Sequence, residues 1–441
     1  MTTSVRGLAP VRQSFENGAT VLVQQTATHP AVTLYVTLLA GSCNDPADRV
    51  GLAHFVSRVI DRGTARRTAD ELGEALDGRG VTLNVHVTRH LFTLSCVCLS
   101  EDLEAVLDLV ADVVMRPMFP PAEVETRRGE IVTAIRQDED SPAAVAGDAL
   151  MGLLYPAGHP YGRPAKGSVA GVEAIVRDHL VEFHRRHFFP AGLLVTIVGD
   201  VAPPLAVDAA WRSLGGWYVP PLPALVPPSP ARPAGRQQLV VPMMNKAQVD
   251  IAYGFAALAR DDADYLPLLL VNNVLGQYGL GGRLADSIRE RQGMAYYVFS
   301  SFEGNVAQGP LVVRAGVAPG DVERTVASID REVRAMAADG VTGAELADAK
   351  RYLIGSLPRL LETNGGIASF LQTAELFGLG LDYDRRLPGL LDSVTRDQAH
   401  VAARRVLDSD RAALAIAGPW PLAAGTVAAA PREAASGSAT T

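Results

Sequence analysis

His54 and Arg58 stand four residues apart in GLAHFVSRVIDRGT, residues 51–64, with Ser57 between them. Positions i and i+4 share one helix face. On such a face H-x-x-E-H, two imidazoles and a carboxylate, is the frame of an inverted zinc site. Here the frame is kept and the chemistry is gone. A Ser57 hydroxyl cannot take a proton from water near neutral pH. The Arg58 guanidinium stays protonated and would repel a cation. His54 is left alone, and a lone histidine on a helix face reads first as a hydrogen-bonded core or cleft residue.

The other candidate groups are weaker. His184 and His187, in HRRHFF, share a helix face and read as packing residues. His86 and His90 lie four apart in a strand-like stretch, too far to chelate one ion at ~3.3 Å per residue. Cys43 follows a strand in AGSCNDP with no identifiable base and reads as inert. No G-x-S-x-G elbow, G-x-x-x-x-G-K-[ST] phosphate loop or dinucleotide G-x-G-x-x-G follows a suitable strand. GQYGLGGRL is glycine-rich, but it lacks the Lys-Ser/Thr ending and follows a helical pattern.

Composition narrows the function classes. At 441 residues the chain suits two or more domains of about 200 residues. Hydrophobic content of 48% against 20% charged residues implies ample apolar material for packed cores. A net charge of −8 argues against nucleic acid as a partner, because phosphate binding needs clustered Lys and Arg. The three cysteines make no disulfide framework, and Cys96 and Cys98 share one strand face without bridging geometry. A reducing, cytoplasmic setting is the expectation. No apolar run approaches the ~20 residues of a membrane helix, and the N-terminus has no apolar signal core.

Elements that could position these residues come in two similar sets. YVPPLPALVPPSPARPAGRQQ, residues 218–238, is too proline-rich for helix or central strand and reads as a connector. It separates an N-terminal domain, residues 1–217, from a C-terminal one, 239–421; the tail 422–441 has little to pack and is expected to be disordered. The first half runs through strands TVLVQQTA and VTLYVTLLAG, a helix from Gly51, a polar helix TADELGEALDGRG, and strands VTLNVHVT and HLFTLSCVCL. The long helix EDLEAVLDLVADVVMR and the strand LLVTIVGDV complete it. The second half echoes that order in QVDIAYGF, DYLPLLLVNNVLGQ, LADSIRERQ, AYYVFSSF, GPLVVRAGV, DVERTVASIDREVRAMAADG and RAALAIAGPW. A duplicated α+β unit is the fold expectation.

Six segments in order, GLAHFVSRVIDRGT, GVTLNVHVTRHLF, IRQDEDSP, HPYGRPAKGS, LLVTIVGDV and RERQGMAYYVFS, resemble the pitrilysin-type, mitochondrial-processing-peptidase-like metallopeptidases. The resemblance runs through nearly the whole chain. It implies two homologous α/β-sandwich domains forming a clamshell, with peptide bound as an added strand between them. In zinc-bearing relatives two histidines and a distant glutamate hold the metal, and the motif glutamate is the general base. The resemblance places Ser57 at the base, Arg58 at the second histidine and Ala134 at the remote ligand; Glu130, one turn earlier, is the only conceivable substitute. No zinc is therefore expected in this chain.

The resemblance assigns chemistry elsewhere. Arg289 and Tyr296 match an Arg/Tyr pair that reaches the scissile carbonyl, where a cation and a phenol can stabilise the oxyanion. Without that role Arg289 is an exposed helix arginine and Tyr296 a strand aromatic, with Tyr297 on the opposite face as the better core residue. Arg283 is either structural or substrate-facing. Leu83, Asn84, Val85 and His86 match the edge strand on which substrate docks; Val85 stands where the pattern has a small residue. Gly365 and Gly366, in LETNGGIASF, suit a mobile loop that recruits substrate or, more simply, a plain turn.

A chain with the Arg/Tyr pair and no zinc motif resembles one partner of the two-subunit bacterial branch. The function this implies is the non-zinc subunit of a heterodimeric metallopeptidase, whose zinc lies in a homologous partner. The alternatives are a catalytically inactive scaffold of the same family and a stand-alone peptide-binding or chaperone-like module.

Overall fold

The computed structural model describes residues 7–156, 158–221, 227–231, 233–277 and 281–421. The tail 422–441 and residues 222–226 and 232 of the proline-rich segment lie outside them. The N-terminal half runs β1 (Val11–Ser14), β2 (Thr20–Gln25), β3 (Ala31–Leu38), α1 (Leu52–Val59), α2 (Ala69–Asp77), β4 (Asn84–Val87), β5 (Phe92–Leu99), α3 (Leu103–Met115), α4 (Pro121–Glu139), α5 (Pro142–Leu154), α6 (Val169–Ala174), α7 (Arg177–His187), β6 (Leu194–Gly199) and α8 (Pro203–Leu214). The C-terminal half continues with β7 (Gln237–Pro242), β8 (Val249–Ala256), α9 (Tyr265–Asn272), β9 (Ala295–Phe302), β10 (Pro310–Val317), α10 (Val322–Asp339), α11 (Gly343–Leu360), α12 (Asn364–Leu376), α13 (Tyr383–Asp392), α14 (Arg396–Val406) and β11 (Ala413–Gly418). No helix among the described residues is long and apolar enough to cross a membrane.

Two sheets carry the duplication. The first has the order β1-β2-β6-β3-β5-β4 and the second β7-β11-β8-β10-β9. The pairing β2–β6 is parallel and so is β7–β11; β6–β3 and β11–β8 are antiparallel, as are β3–β5 and β8–β10 and the outer pairs β5–β4 and β10–β9. Strand for strand, the second sheet repeats the first without β1. Strands β1 and β7 escape a reading by periodicity, because β1 is exposed throughout and β7 has a single buried residue with no alternation around it. β7 also starts inside the span read as connector. The central strands β6 (LVTIVG) and β11 (ALAIAG) are buried along their whole length, as strands covered on both faces must be.

The chain forms two compact units that are not contiguous halves. Among the described residues, one comprises those up to Thr133, 165–221 and Gly355–Pro388; the other comprises Ala134–Pro164, 227–354 and 389–421. Each thus includes a helix from the opposite half of the sequence, and the spans 1–217 and 239–421 are not themselves the compact bodies. The cause is apolar burial. In the first unit, Ile367, Ala368 and Leu371 of α12 are buried with Leu22, Leu194 and Val198 of β2 and β6, and each large aliphatic side chain so buried stabilises by about 1.5–3 kcal/mol. In the second unit α5 packs over β8, β11 and β7.

Candidate functional site

The degenerate metal frame lies on α1. The helix starts at Gly51, whose φ of +98° and close approach to the Lys166 carbonyl exclude a side chain. Buried Asp45 accepts the backbone N–H groups of Gly51 and Ala53 at 2.8 Å each, satisfying donors that a helix start leaves unpaired. The cap and glycine hold the α1 backbone firmly, so the frame survives although its donors do not.

His54 is half-buried on this helix. Ser57 is buried and its hydroxyl donates to the His54 carbonyl at 2.6 Å, tying it to its own helix. Arg58 points to the exposed side and meets Glu130 of α4 at 3.4 Å. Glu130 also accepts from Arg127. Hydrogen bonding to Arg127 first, and to Arg58 second, holds its carboxyl below the ordinary value. The one acidic side chain that could substitute for Ala134 is therefore committed to two guanidinium groups. A hydroxyl bound to its own helix, a cation and a methyl group do not fit a dication that needs three or four N, O or S donors. Among the described residues, no cluster of three or more His, Cys, Asp and Glu is placed to hold a metal ion.

His184, His187, His90 and the cysteines are accounted for by packing and burial. His184 Nε2 lies 2.7 Å from the Val114 carbonyl, and its ring packs on Phe119 and Phe188. His187 packs on Phe183, and burial pushes its pKa down to about 4. His86 is exposed on β4. His90 falls in the turn between β4 and β5 rather than in a strand, and burial pushes it down to about 4. Cys43, Cys96 and Cys98 are buried and form no disulfide among the described residues; burial raises Cys96 to about 12 and Cys98 to about 11, away from thiolate chemistry.

β4 is an edge strand. Among the described residues it pairs only with β5, in the register Asn84↔Ser95, Val85↔Leu94, His86↔Thr93. Asn84 and His86 are exposed and Val85 is half-buried, with Leu83 one residue before the strand. Its outer backbone edge has the geometry that strand addition requires.

Arg289 and Tyr296 lie on consecutive elements of the second unit. Residues Ala285–Glu290 form a π-helical segment, and β9 begins at Ala295. The turn between them closes with Gly293 N–H on the Arg289 carbonyl and Met294 N–H on the Ile288 carbonyl, at 3.0 and 3.1 Å. Arg289 hydrogen-bonds Glu290 through Nε and Nη2, at 2.9 and 2.8 Å. Tyr296 is 70% exposed on an edge strand, which suits a group that meets a ligand better than one that fills a core. Tyr297 points to the other face, and its hydroxyl donates to buried Asp250.

Two expectations resolve as structure. Arg283 makes a two-pronged pair with Glu345, at 2.7 and 2.8 Å, and reaches the Gly340 carbonyl at 2.9 Å. Gly365 and Gly366 are neither loop nor plain turn: they belong to the first turn of α12, whose N-cap Thr363 accepts from Gly366 N–H at 3.0 Å. Asn364 beside them accepts from the Thr26 hydroxyl at 2.9 Å and donates to the Ala31 carbonyl at 3.3 Å. A Cβ at Gly366 would stand 1.9 Å from the Leu360 carbonyl, so glycine lets α12 start close to the end of α11.

Residues 20–163 match the family described as Insulinase (Peptidase family M16), and residues 174–353 match the Peptidase M16 inactive domain. An uncharacterized zinc protease of Mycobacterium leprae is 28% identical over 95% of this chain and 93% of its own length. Another from Streptomyces coelicolor is 29% identical over 94% and 90%. A peptidase M16 inactive domain from Pseudomonas fluorescens superposes with a TM-score of 0.85 at 26% identity, covering 96% of this chain and 100% of that one. A Helicobacter pylori protease gives a TM-score of 0.85 at 17% identity, over 93% and 99%, a likeness of fold. With family matches on both halves, relatives that align from end to end and the same two-sheet architecture, the chain belongs to the M16 (insulinase) peptidase family.

Proposed function

We propose that this chain is the zinc-lacking subunit of a heterodimeric, cytoplasmic metallopeptidase, and that a homologous zinc-bearing subunit is its partner. The observation that carries this reading is the combination of an incompatible donor set at His54, Ser57, Arg58 and Ala134 with Arg289 and Tyr296 seven residues apart. An inert scaffold would have no need of the second. In this reading the chain holds no cofactor, and zinc in the partner supplies the activated water. Arg289 and Tyr296 contribute the chain's own chemistry. The guanidinium, released from Glu290, and the phenol hydroxyl donate to the carbonyl oxygen as it gains charge, and neither transfers a proton from water. Leu83, Asn84, Val85 and His86 offer a backbone edge for an extended peptide. The Gly365–Gly366 segment is better accounted for by helix packing than by substrate recruitment.

The test is complementation. The purified chain should cleave no peptide by itself and should restore cleavage when mixed with a zinc-bearing M16 partner. Arg289→Ala and Tyr296→Phe should then each lower kcat about 100-fold or more, with KM little changed, as expected when an oxyanion donor is lost. Full activity of the isolated chain would defeat the proposal. Tight peptide binding with no activity in any mixture would favour the peptide-binding module instead.

A further inference from the structure

We propose that Arg314 is a receptor for a peptide carboxylate, on the face of β10 and β9 that α5 leaves open. The inference deepens the peptidase-subunit reading and takes from it only that the ligand is a peptide.

Register defines the site. Arg314 pairs with Ala252 on β8 and Phe299 on β9, so the three side chains share one face of the second sheet. That face is the one toward α5: a Cβ at Gly147 of α5 would stand 2.8 Å from Arg314 Nη2. The missing side chain at Gly147 makes the notch in which the guanidinium lies. α5 packs over β7, β11 and β8, and beyond it Phe299 is 40% exposed while Tyr297 is half-buried. Their rings stand 5.9 Å apart and wall the site with aromatic surface.

The guanidinium is underused. Of its five N–H donors, Nη1 alone makes a hydrogen bond within the described residues, a long one of 3.4 Å to the Ala143 carbonyl. Two other half-buried arginines of this unit meet a carboxylate: Arg236 meets Asp330 at 2.7 Å and Arg283 meets Glu345 at 2.7 Å. Among the described residues Arg314 has no such ion pair. Asp250, one row along the sheet opposite Gly316, is already taken by Tyr297 and by Gln248 Nε2 at 3.2 Å. A half-buried guanidinium with most of its N–H donors unused among the described residues, on a sheet face shared with two aromatic rings, suits a carboxylate bound through two parallel hydrogen bonds. That carboxylate could be an acidic side chain or a peptide C-terminus.

Fluorescence anisotropy on the full chain separates these sources. The probes are a labelled, unstructured twelve-residue peptide with one Glu and a free C-terminus, its Glu→Gln form, its C-terminal amide, and the doubly neutral form. The wild-type chain should bind at least one carboxylate form about 10-fold tighter than the doubly neutral peptide, and the neutralisation that removes the preference identifies the source. Arg314→Gln should abolish the preference while keeping affinity for the neutral peptide, and Arg314→Lys should retain part of it. A thermal melt shows that the variants are folded. Equal affinity for all four peptides, no binding of any, or an unchanged preference in Arg314→Gln would overturn the proposal. The preference is read without a partner. If it is present and complementation fails, the subunit reading falls and this site stands; if it is absent and complementation succeeds, the reverse holds.

Discussion

The Arg58 guanidinium stands 3.4 Å from the Glu130 carboxylate, joining α1 to α4. Both side chains are roughly half exposed, so the pair is worth at most about 1 kcal/mol. Well-dialysed protein should hold far less than one zinc per chain by elemental analysis. Arg58→His should melt close to the wild type and still take up no stoichiometric metal, since two imidazoles four residues apart leave a tetrahedral ion short of donors. One tightly held zinc in the unmodified chain would contradict both the site geometry and the proposed division of labour.

The adjacent glycines of α12 should respond oppositely to alanine. Gly366→Ala drives a methyl group against the Leu360 carbonyl, 1.9 Å from the ideal Cβ position, and should cost about 2 kcal/mol or more through backbone displacement. Gly365 has open space, the nearest atom being the Tyr35 hydroxyl at 3.9 Å. Gly365→Ala should be neutral or stabilise by about 0.5–1 kcal/mol, as alanine does within a helix. Urea midpoints would read both effects. Equal losses would point to something other than packing.

Acid should expose the Arg283–Glu345 pair. Hydrogen bonding to Arg283 is the largest cause that lowers the Glu345 carboxyl from 4.5 to about 2. Because the folded value lies below the unfolded one, the stabilisation is complete above pH 4.5 and is lost as pH falls toward about 2. Wild-type stability should therefore drop more steeply across that window than that of Glu345→Gln. Parallel curves in urea titrations at stepped pH would remove the pair from the account.

Tyr297 reaches Asp250 by lying over Gly316. The ladder aligns Asp250, Gly316 and Tyr297 in one row, and a Cβ at position 316 would come within 2.5 Å of the tyrosine ring. Tyr297→Phe leaves buried Asp250 with Gln248 as its remaining side-chain donor and should cost about 1–3 kcal/mol. Gly316→Ala should cost at least as much by pushing the ring aside. If both variants unfold at the wild-type temperature, the Asp250–Tyr297 contact does not help to hold β9 on the sheet.

Much of the fold was legible residue by residue. Alternating and fully apolar runs located β2 through β6 and β8 through β11, and the edge position of Asn84–Val87 matches the exposed alternation of NVHV. β1 and β7 were not legible, because β1 is short and exposed throughout and β7 buries one residue only, so neither has an apolar face to mark it. The two glycines of α12 misled for a related reason: Asn-Gly-Gly is a turn signal locally, and only the cap from Thr363 and the nearby Leu360 carbonyl make it a helix start.

By itself the sequence determined that positions 58 and 134 carry no metal donor, since no folding can turn Arg58 or Ala134 into a zinc ligand. It also determined the duplicated order of elements, which rests on local periodicity. Tertiary structure alone decided where α5 and α12 are buried, which carboxylates Arg58 and Arg283 meet, and that Arg314 meets none among the described residues. Helix and strand patterns report which face of an element must be covered; the covering surface comes from residues hundreds of positions away, and its identity is set by packing that no local spacing encodes.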